Sequence, residues 1–330
     1  MPNTIKDVAT MANVSLSTVS RVLNNKSGCI EQFAPQTVKR VKEAAEKLQY
    51  RPSRRARGLT LGRNHCVTFL TERDNFWSSP FDCQIAIRAA HEMRKADYSI
   101  DIMTVADLKG IDQLPQTSDG IVFAIEVSDR IIARVQELEL PLVWLNMGFA
   151  METDCVLPDD WNGARRLGEH LLAIGCENVI FVAPFVGKTL HGSVKIRKEA
   201  FDSVLAGAAA LHCVPYEWNA LMQAMARVKS GQLPKAAVAA YAESELLAAM
   251  LAASESGLRI PDDLALVSCD ISEMCQHSGL GRTVTGVRFS IPELGSAAAR
   301  MILQKIKTGQ RNAPSVLIPE YFVQGDTTRS

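Results

Sequence analysis

Beyond position 64, short apolar runs alternate with stretches in which apolar residues recur every three or four positions. The runs cover 66–70, 99–105, 120–124, 142–146, 179–183, 236–240 and 265–268. The periodic stretches cover 81–95, 129–138, 162–174, 195–210, 219–229, 244–256 and 292–307. A continuous apolar run reads as a strand buried on both faces, and a 3.6-residue period as a helix lying against it. Their alternation predicts doubly wound parallel sheets with helices on both faces, which take ligands outside the carboxyl ends of their strands.

The first fifty residues carry only helical periodicity. Ile5, Val8, Ala9 and Ala12 form one apolar stripe, predicting a helix over 5–11 that Thr4 caps, with Asp7 in its first turn. Ala12-Asn13-Val14-Ser15 makes a short turn, where Asn13 tolerates left-handed backbone. Ser15 caps a second helix over 16–23 whose apolar side is Val19, Val22 and Leu23, and whose other side presents Leu16, Ser17, Thr18 and Arg21. A third helix, about 36–48, turns Val38, Val41, Ala45 and Leu48 inward and Lys39, Arg40 and Lys42 outward. Two short helices at a tight turn, the second with small and hydrogen-bonding groups at its start, suit reading of base edges in a DNA groove.

Charge supports that division. The net charge is zero, yet residues 1–63 hold 12 Lys+Arg against 4 Asp+Glu, so a head of +8 is joined to a body of −8. A basic head is what attraction to a phosphate backbone requires. The hydrophobic and charged fractions, 47% and 22%, are those of an ordinary globular protein. The chain has no apolar stretch long enough to span a bilayer, and MPNTIKDVAT lacks a signal-peptide pattern, so a cytoplasmic protein is expected. Eight scattered cysteines without a C-x-x-C pair read as free thiols, with neither a structural metal nor a cofactor expected.

Thr4-Ile5-Lys6-Asp7-Val8-Ala9, then Val14-Ser15-Leu16-Ser17-Thr18-Val19-Ser20-Arg21-Val22-Leu23-Asn24, then Leu48-Gln49-Tyr50-Arg51-Pro52, resembles the head of the LacI/GalR family of bacterial transcriptional regulators. The resemblance implies that Leu16, Ser17 and Arg21 read bases, while Thr4, Ser15, Thr18, Ser20 and Asn24 hold phosphates. It implies a helix-turn-helix domain over 1–49, with Tyr50 opening a hinge over 50–63. In that hinge Arg54 and Arg55 would meet phosphates, Ala56 would let two copies approach, and Leu59 would wedge a minor-groove step. The connection over 25–34 is longer than the family's, and Ala34 stands where a capping Ser would help, so no contact is carried over there.

The resemblance continues through Asp119-Gly120-Ile121-Val122, Asn162-Gly163-Ala164 and Gly257-Leu258-Arg259-Ile260-Pro261-Asp262-Asp263. It implies a periplasmic-binding-protein-like body over 64–330: one lobe over about 64–157 and 289–315, the other over about 158–288 and 316–330, and an effector between them. Matched by position, Arg197 would clamp ligand hydroxyls or a carboxylate through its guanidinium fork, and Asp270 would accept from two hydroxyls. Asn146 would supply a polar contact and Trp218 a stacking face; the plain alternatives are a surface salt bridge for Arg197, a helix N-cap for Asp270 and a capping core aromatic for Trp218. Glu243 keeps an acidic position, although Ala242 replaces the polar residue usually beside it. These departures are similar to the β-galactosidase-operon branch of the family, making a galactoside or similar sugar the leading effector.

The expected function is a homodimeric repressor on a near-palindromic operator, released by a sugar inducer; a corepressor-dependent regulator or an activator is the alternative. The ranges 85–89 and 246–251 offer apolar stripes for pairing or for internal packing. A sugar-processing enzyme is the remote alternative, because no phosphate loop, nucleophile elbow or H-E-x-x-H spacing occurs. Of six isolated histidines, His191 is the one placed to reach the cleft.

Overall fold

The computed structural model describes residues 3–23, 32–50, 63–71, 80–104, 118–124, 139–146, 153–185, 191–271 and 283–329. The chain divides into two units, Met1–His65 and Cys66–Ser330. In the first, α1 (Ile5–Ala12), α2 (Leu16–Leu23) and α3 (Pro35–Lys47) enclose a core of Val8, Ala9, Ala12, Val19, Val22, Val41, Ala44 and Ala45. Asn13 adopts the left-handed conformation expected of it, with φ at 48°, and Pro35 occupies the first position of α3. Most of the predicted hinge, the Asn24 position and the stretch 129–138 lie outside the described residues.

The second unit contains two six-stranded sheets. The chain runs β1 (Cys66–Thr71), α4 (Pro80–Lys95), β2 (Ser99–Thr104), β3 (Ile121–Ala124), β4 (Leu142–Leu145) and β5 (Cys155–Pro158). It then passes through α5 (Asp160–Ala173), β6 (Asn178–Ala183), α6 (Gly192–Leu205), β7 (Ala210–Pro215), α7 (Trp218–Lys229) and β8 (Ala236–Ala240). It ends with α8 (Glu243–Glu255), β9 (Ala265–Ser268), β10 (Thr285–Phe289), α9 (Ile291–Thr308), β11 (Val316–Ile318) and β12 (Glu320–Val323). The first sheet has the order β11-β5-β4-β3-β1-β2, with every pairing parallel. The second has the order β12-β10-β9-β8-β6-β7, parallel except for β12 against β10.

Alternation along the strands places the cores. In β6, Ile180 and Val182 face α7 and α8, while Val179, Phe181 and Ala183 face α5 and α6. The alanine-rich β8 is buried on both faces, where small side chains let helices approach from either side. The first sheet shares its core with Ile85, Ala89 and Met93 of α4 and with Leu294, Ala298 and Ile302 of α9.

The chain crosses between lobes at Asp159, Ser290 and Pro319. The last crossing lies three residues beyond the expected 316, because Val316–Ile318 pairs with β5 and completes the first sheet. The helix expected over 195–210 stops at Leu205: Gly207 takes a φ of 75°, and Ala210–Pro215 continues as an edge strand. Gly207 thus ends the helix, and of the expected stretch only Ala210 joins the six positions paired along β6. Strands β5, β10, β11 and β12 escape sequence reading because they are short, and several carry polar or proline residues.

Candidate functional site

In the head, Asp7 closes a capping box: its Oδ2 accepts from the Thr4 backbone N–H at 2.7 Å and from the Thr4 hydroxyl at 2.8 Å. Those hydrogen bonds hold the Asp7 carboxyl below its ordinary range, the backbone bond most of all. Thr4 thus caps α1 within this reciprocal pair, its hydroxyl also donating to Asp7. Ser15 caps α2 as expected, accepting from the Thr18 N–H at 3.1 Å, and its Oγ also meets Ser17 Oγ at 2.8 Å and Thr18 Oγ1 at 2.9 Å.

With Val19 and Val22 buried, α2 has one committed face. Leu16, 44% exposed, Ser17 and Arg21 lie on the exposed side, with Ser17 and Arg21 four residues apart on one ridge. Thr18 and Ser20 are half-buried at its margins. Lys6, which sequence reasoning did not single out, lines an open groove with Thr10, Asn13, Ser15 and Leu16. Tyr50 is half-buried against the head core, where burial pushes its phenol up. Arg54, Arg55, Ala56 and Leu59 lie outside the described residues.

The body gathers its polar groups at the carboxyl ends of β6, β8 and β9. Arg197 of α6 is 4% exposed and already engaged. Its Nε donates to Asp160 Oδ1 at 2.7 Å and its Nη2 lies 2.6 Å from the same oxygen. Its Nη1 donates to the Tyr241 carbonyl at 2.7 Å, and the guanidinium stands 4.8 Å from the Tyr241 ring centroid. Three of its five N–H groups are thereby committed among the described residues. Burial disfavours its charge, but Asp160 and the other acidic neighbours prevail and the guanidinium is held more firmly protonated. The position expected to clamp a ligand is therefore also the cation of a buried structural pair.

Asp270 follows β9 and is half-buried; desolvation pushes its carboxyl up to about 6, with Arg197 opposing and Glu243 adding to the shift. Glu243 opens α8 and is half-buried. Trp218 opens α7 at the same edge of the sheet, with its indole 41% exposed. Asn146 directly follows β4 in the first lobe in left-handed conformation, with φ at 50°. The structure thus brings Arg197, Asp270 and Glu243 toward one cluster, and joins Asn146 to it through His191.

Sequence reading missed Asp160, Tyr241 and Glu320. Glu320 opens β12, is buried 3.9 Å from Arg197 Nη2, and neither carboxyl oxygen has a hydrogen-bond partner among the described residues. Burial drives its carboxyl strongly upward despite Arg197. Gly163 makes that placement possible, since a Cβ there would lie 1.5 Å from Glu320 Oε2. Asp160 and Glu320 flank the crossings at 159 and 319, so their meeting depends on the crossover topology.

Two family profiles match the chain: Bacterial regulatory proteins, lacI family, over residues 4–53, and Periplasmic binding protein-like domain over residues 169–328. The probable HTH-type transcriptional repressor ExuR of Bacillus subtilis is 28% identical over 341 residues, spanning 99% of this chain and 98% of its own. The ribose operon repressor of Halalkalibacterium halodurans is 28% identical over 343 residues, spanning 99% and 97%. In fold the chain is similar to the lac repressor dimer bound to operator and the anti-inducer ONPF, with a TM-score of 0.79 at 21% identity over 100% of each chain. A transcriptional regulator CelR–cellobiose complex has a TM-score of 0.65 at 20% identity, covering 98% and 99%. With head and body matched in this order, the chain carries a DNA-binding domain of the lacI family of bacterial regulatory proteins ahead of a periplasmic-binding-protein-like domain, and is a DNA-binding transcriptional regulator.

Proposed function

We propose that the chain is a homodimeric repressor of carbohydrate-utilisation genes, acting in the cytoplasm and released from its operator by a sugar held between the two lobes. The observation that carries this reading is α2: Leu16, Ser17 and Arg21 are exposed on one face while Val19 and Val22 anchor the other, on a strongly basic head. Arg21 would read base edges, with Thr4, Ser15, Thr18, Ser20, Asn24 and Tyr50 holding the backbone and Arg54, Arg55, Ala56 and Leu59 forming a minor-groove hinge. A sugar effector is supported by the ribose operon repressor and the CelR–cellobiose complex among the similar proteins. Arg197, Asp270, Asn146, Glu243 and Trp218 would contact it.

Pairing is supported by exposed apolar residues on two helices. Ile85, Ala86, Ala89 and Leu246 are consumed inside the lobes, whereas Ile87, Leu247 and Leu251 remain exposed. A dimer presents two α2 helices to the halves of a near-palindromic site. Selection of bound duplexes from a random library by the full-length protein should enrich a near-palindrome, and Arg21→Ala should lose base preference at one position in each half. No enriched sequence would sink the proposal. Affinity for the enriched duplex should then fall when the effective member of a sugar panel is added; a rise would replace the inducer reading with a corepressor.

A further inference from the structure

His191 directly precedes α6, where its Nδ1 accepts from the Ser193 N–H at 3.3 Å and lies 2.6 Å from Ser193 Oγ. Its Nε2 lies 3.0 Å from the backbone carbonyl oxygen of Asn146. That contact joins the second lobe to the first, since α6 packs on the β6–β9 sheet and Asn146 follows β4. Asn146 holds a left-handed φ of 50° at this point, a conformation uncommon outside turns and functional sites.

The donors can be assigned by exclusion. A carbonyl oxygen only accepts, so His191 Nε2 carries the proton and a neutral ring leaves Nδ1 as acceptor. Ser193 Oγ–H then donates to Nδ1, and its own oxygen accepts from the Tyr241 hydroxyl 2.7 Å away. A single directed chain runs from Tyr241 through Ser193 and His191 to Asn146. At its far end the Tyr241 ring lies beneath Arg197, and the Tyr241 carbonyl accepts from Arg197 Nη1.

We propose that His191 is a latch between the lobes, coupling the state of the Arg197–Tyr241 cluster to the lobe arrangement. The proposal rests on the reading of that cluster as the effector site. A ligand that engages Arg197 shifts the ring beneath it and the hydroxyl that feeds the chain, and the last link of the chain is held by the other lobe. Differential stabilisation of two lobe arrangements is what an effector requires to act at a distance.

The latch is tested in the full-length protein with spin labels on non-natural ketone residues at positions 95 and 229, one in each lobe, diluted with unlabelled protein. His191→Asn keeps an acceptor for Ser193 but is too short to reach Asn146, whereas His191→Gln extends an amide toward it. The interlobe distance distribution of His191→Asn should shift toward open forms by about fivefold in population, the change one net hydrogen bond carries. His191→Gln should retain the wild-type distribution, and Tyr241→Phe should open it partway. A wild-type distribution in His191→Asn, or equal opening in His191→Gln, overturns the latch; no change in Tyr241→Phe overturns its coupling to Arg197. Because the readout needs neither DNA nor sugar, failure of operator or sugar binding would count against the proposed function while leaving this result standing.

Discussion

Arg197→Met separates two roles that coincide at one residue. The guanidinium is 4% exposed and bonded to Asp160 and Tyr241, with Glu320 3.9 Å away. Methionine fills much of the same volume but leaves Asp160 without its counter-ion. Breaking a buried pair by removing one partner costs about 3–5 kcal/mol, mostly because the remaining charge is stranded. For a unit of this size, each kcal/mol lowers the melting temperature by roughly 2–4 °C, so a fall of about 10 °C is expected without any sugar present. Urea unfolding followed by circular dichroism supplies the free energy, and Arg197→Met combined with Asp160→Leu closes a double-mutant cycle. The double variant should recover most of the loss, because replacing a whole buried pair by apolar residues is often neutral. A loss below about 1 kcal/mol in Arg197→Met, or additive losses in the double variant, would refute the buried pair. Loss of sugar binding in Arg197→Ala alone would therefore leave the clamp role open, since the same change dismantles the cluster.

Three further outcomes are expected. Asp270 is raised to about 6 from 3.8, so its protonated form stabilises the fold: that contribution is complete below about 3.8 and is lost as pH rises through about 6. Asp270→Asn should gain about 3 kcal/mol relative to wild type between pH 4 and pH 7, with urea melts across that range as the check; a constant difference refutes it. Gly163→Ala drives a methyl into Glu320 and should destabilise the body by about 1–3 kcal/mol, whereas adding Glu320→Ala should remove the penalty in thermal melts. Ser15→Ala should cost the head about 1 kcal/mol through the lost cap of α2, read as a lowered urea midpoint for the helical head.

The helix-turn-helix was legible because its determinants are local. Thr4 with Asp7, Asn13 in the left-handed turn and Ser15 at the start of α2 act within a few residues of themselves, and the stripes of Val8, Val19 and Val41 follow one period. The parallel sheets were legible for the same reason, as their central strands are continuous apolar runs. The edge elements were not. Ala210–Pro215 shows no alternation that marks a strand and is set in place by β6 beside it, while Val316–Ile318 and Glu320–Val323 are too short to register before their sheets exist.

At the candidate site, it was the resemblance to the family, position by position, that marked Arg197, Asp270 and Asn146. What Arg197 is bonded to was decided by tertiary structure, since Asp160 and Glu320 are 160 positions apart and meet only where the chain crosses between lobes. The link from His191 to Asn146 is of the same kind. Periodicity and capping report which surfaces a segment will bury, because those forces act over a single turn or strand. Partners across a crossing depend on how two independently formed sheets are joined, and only the folded chain carries that information.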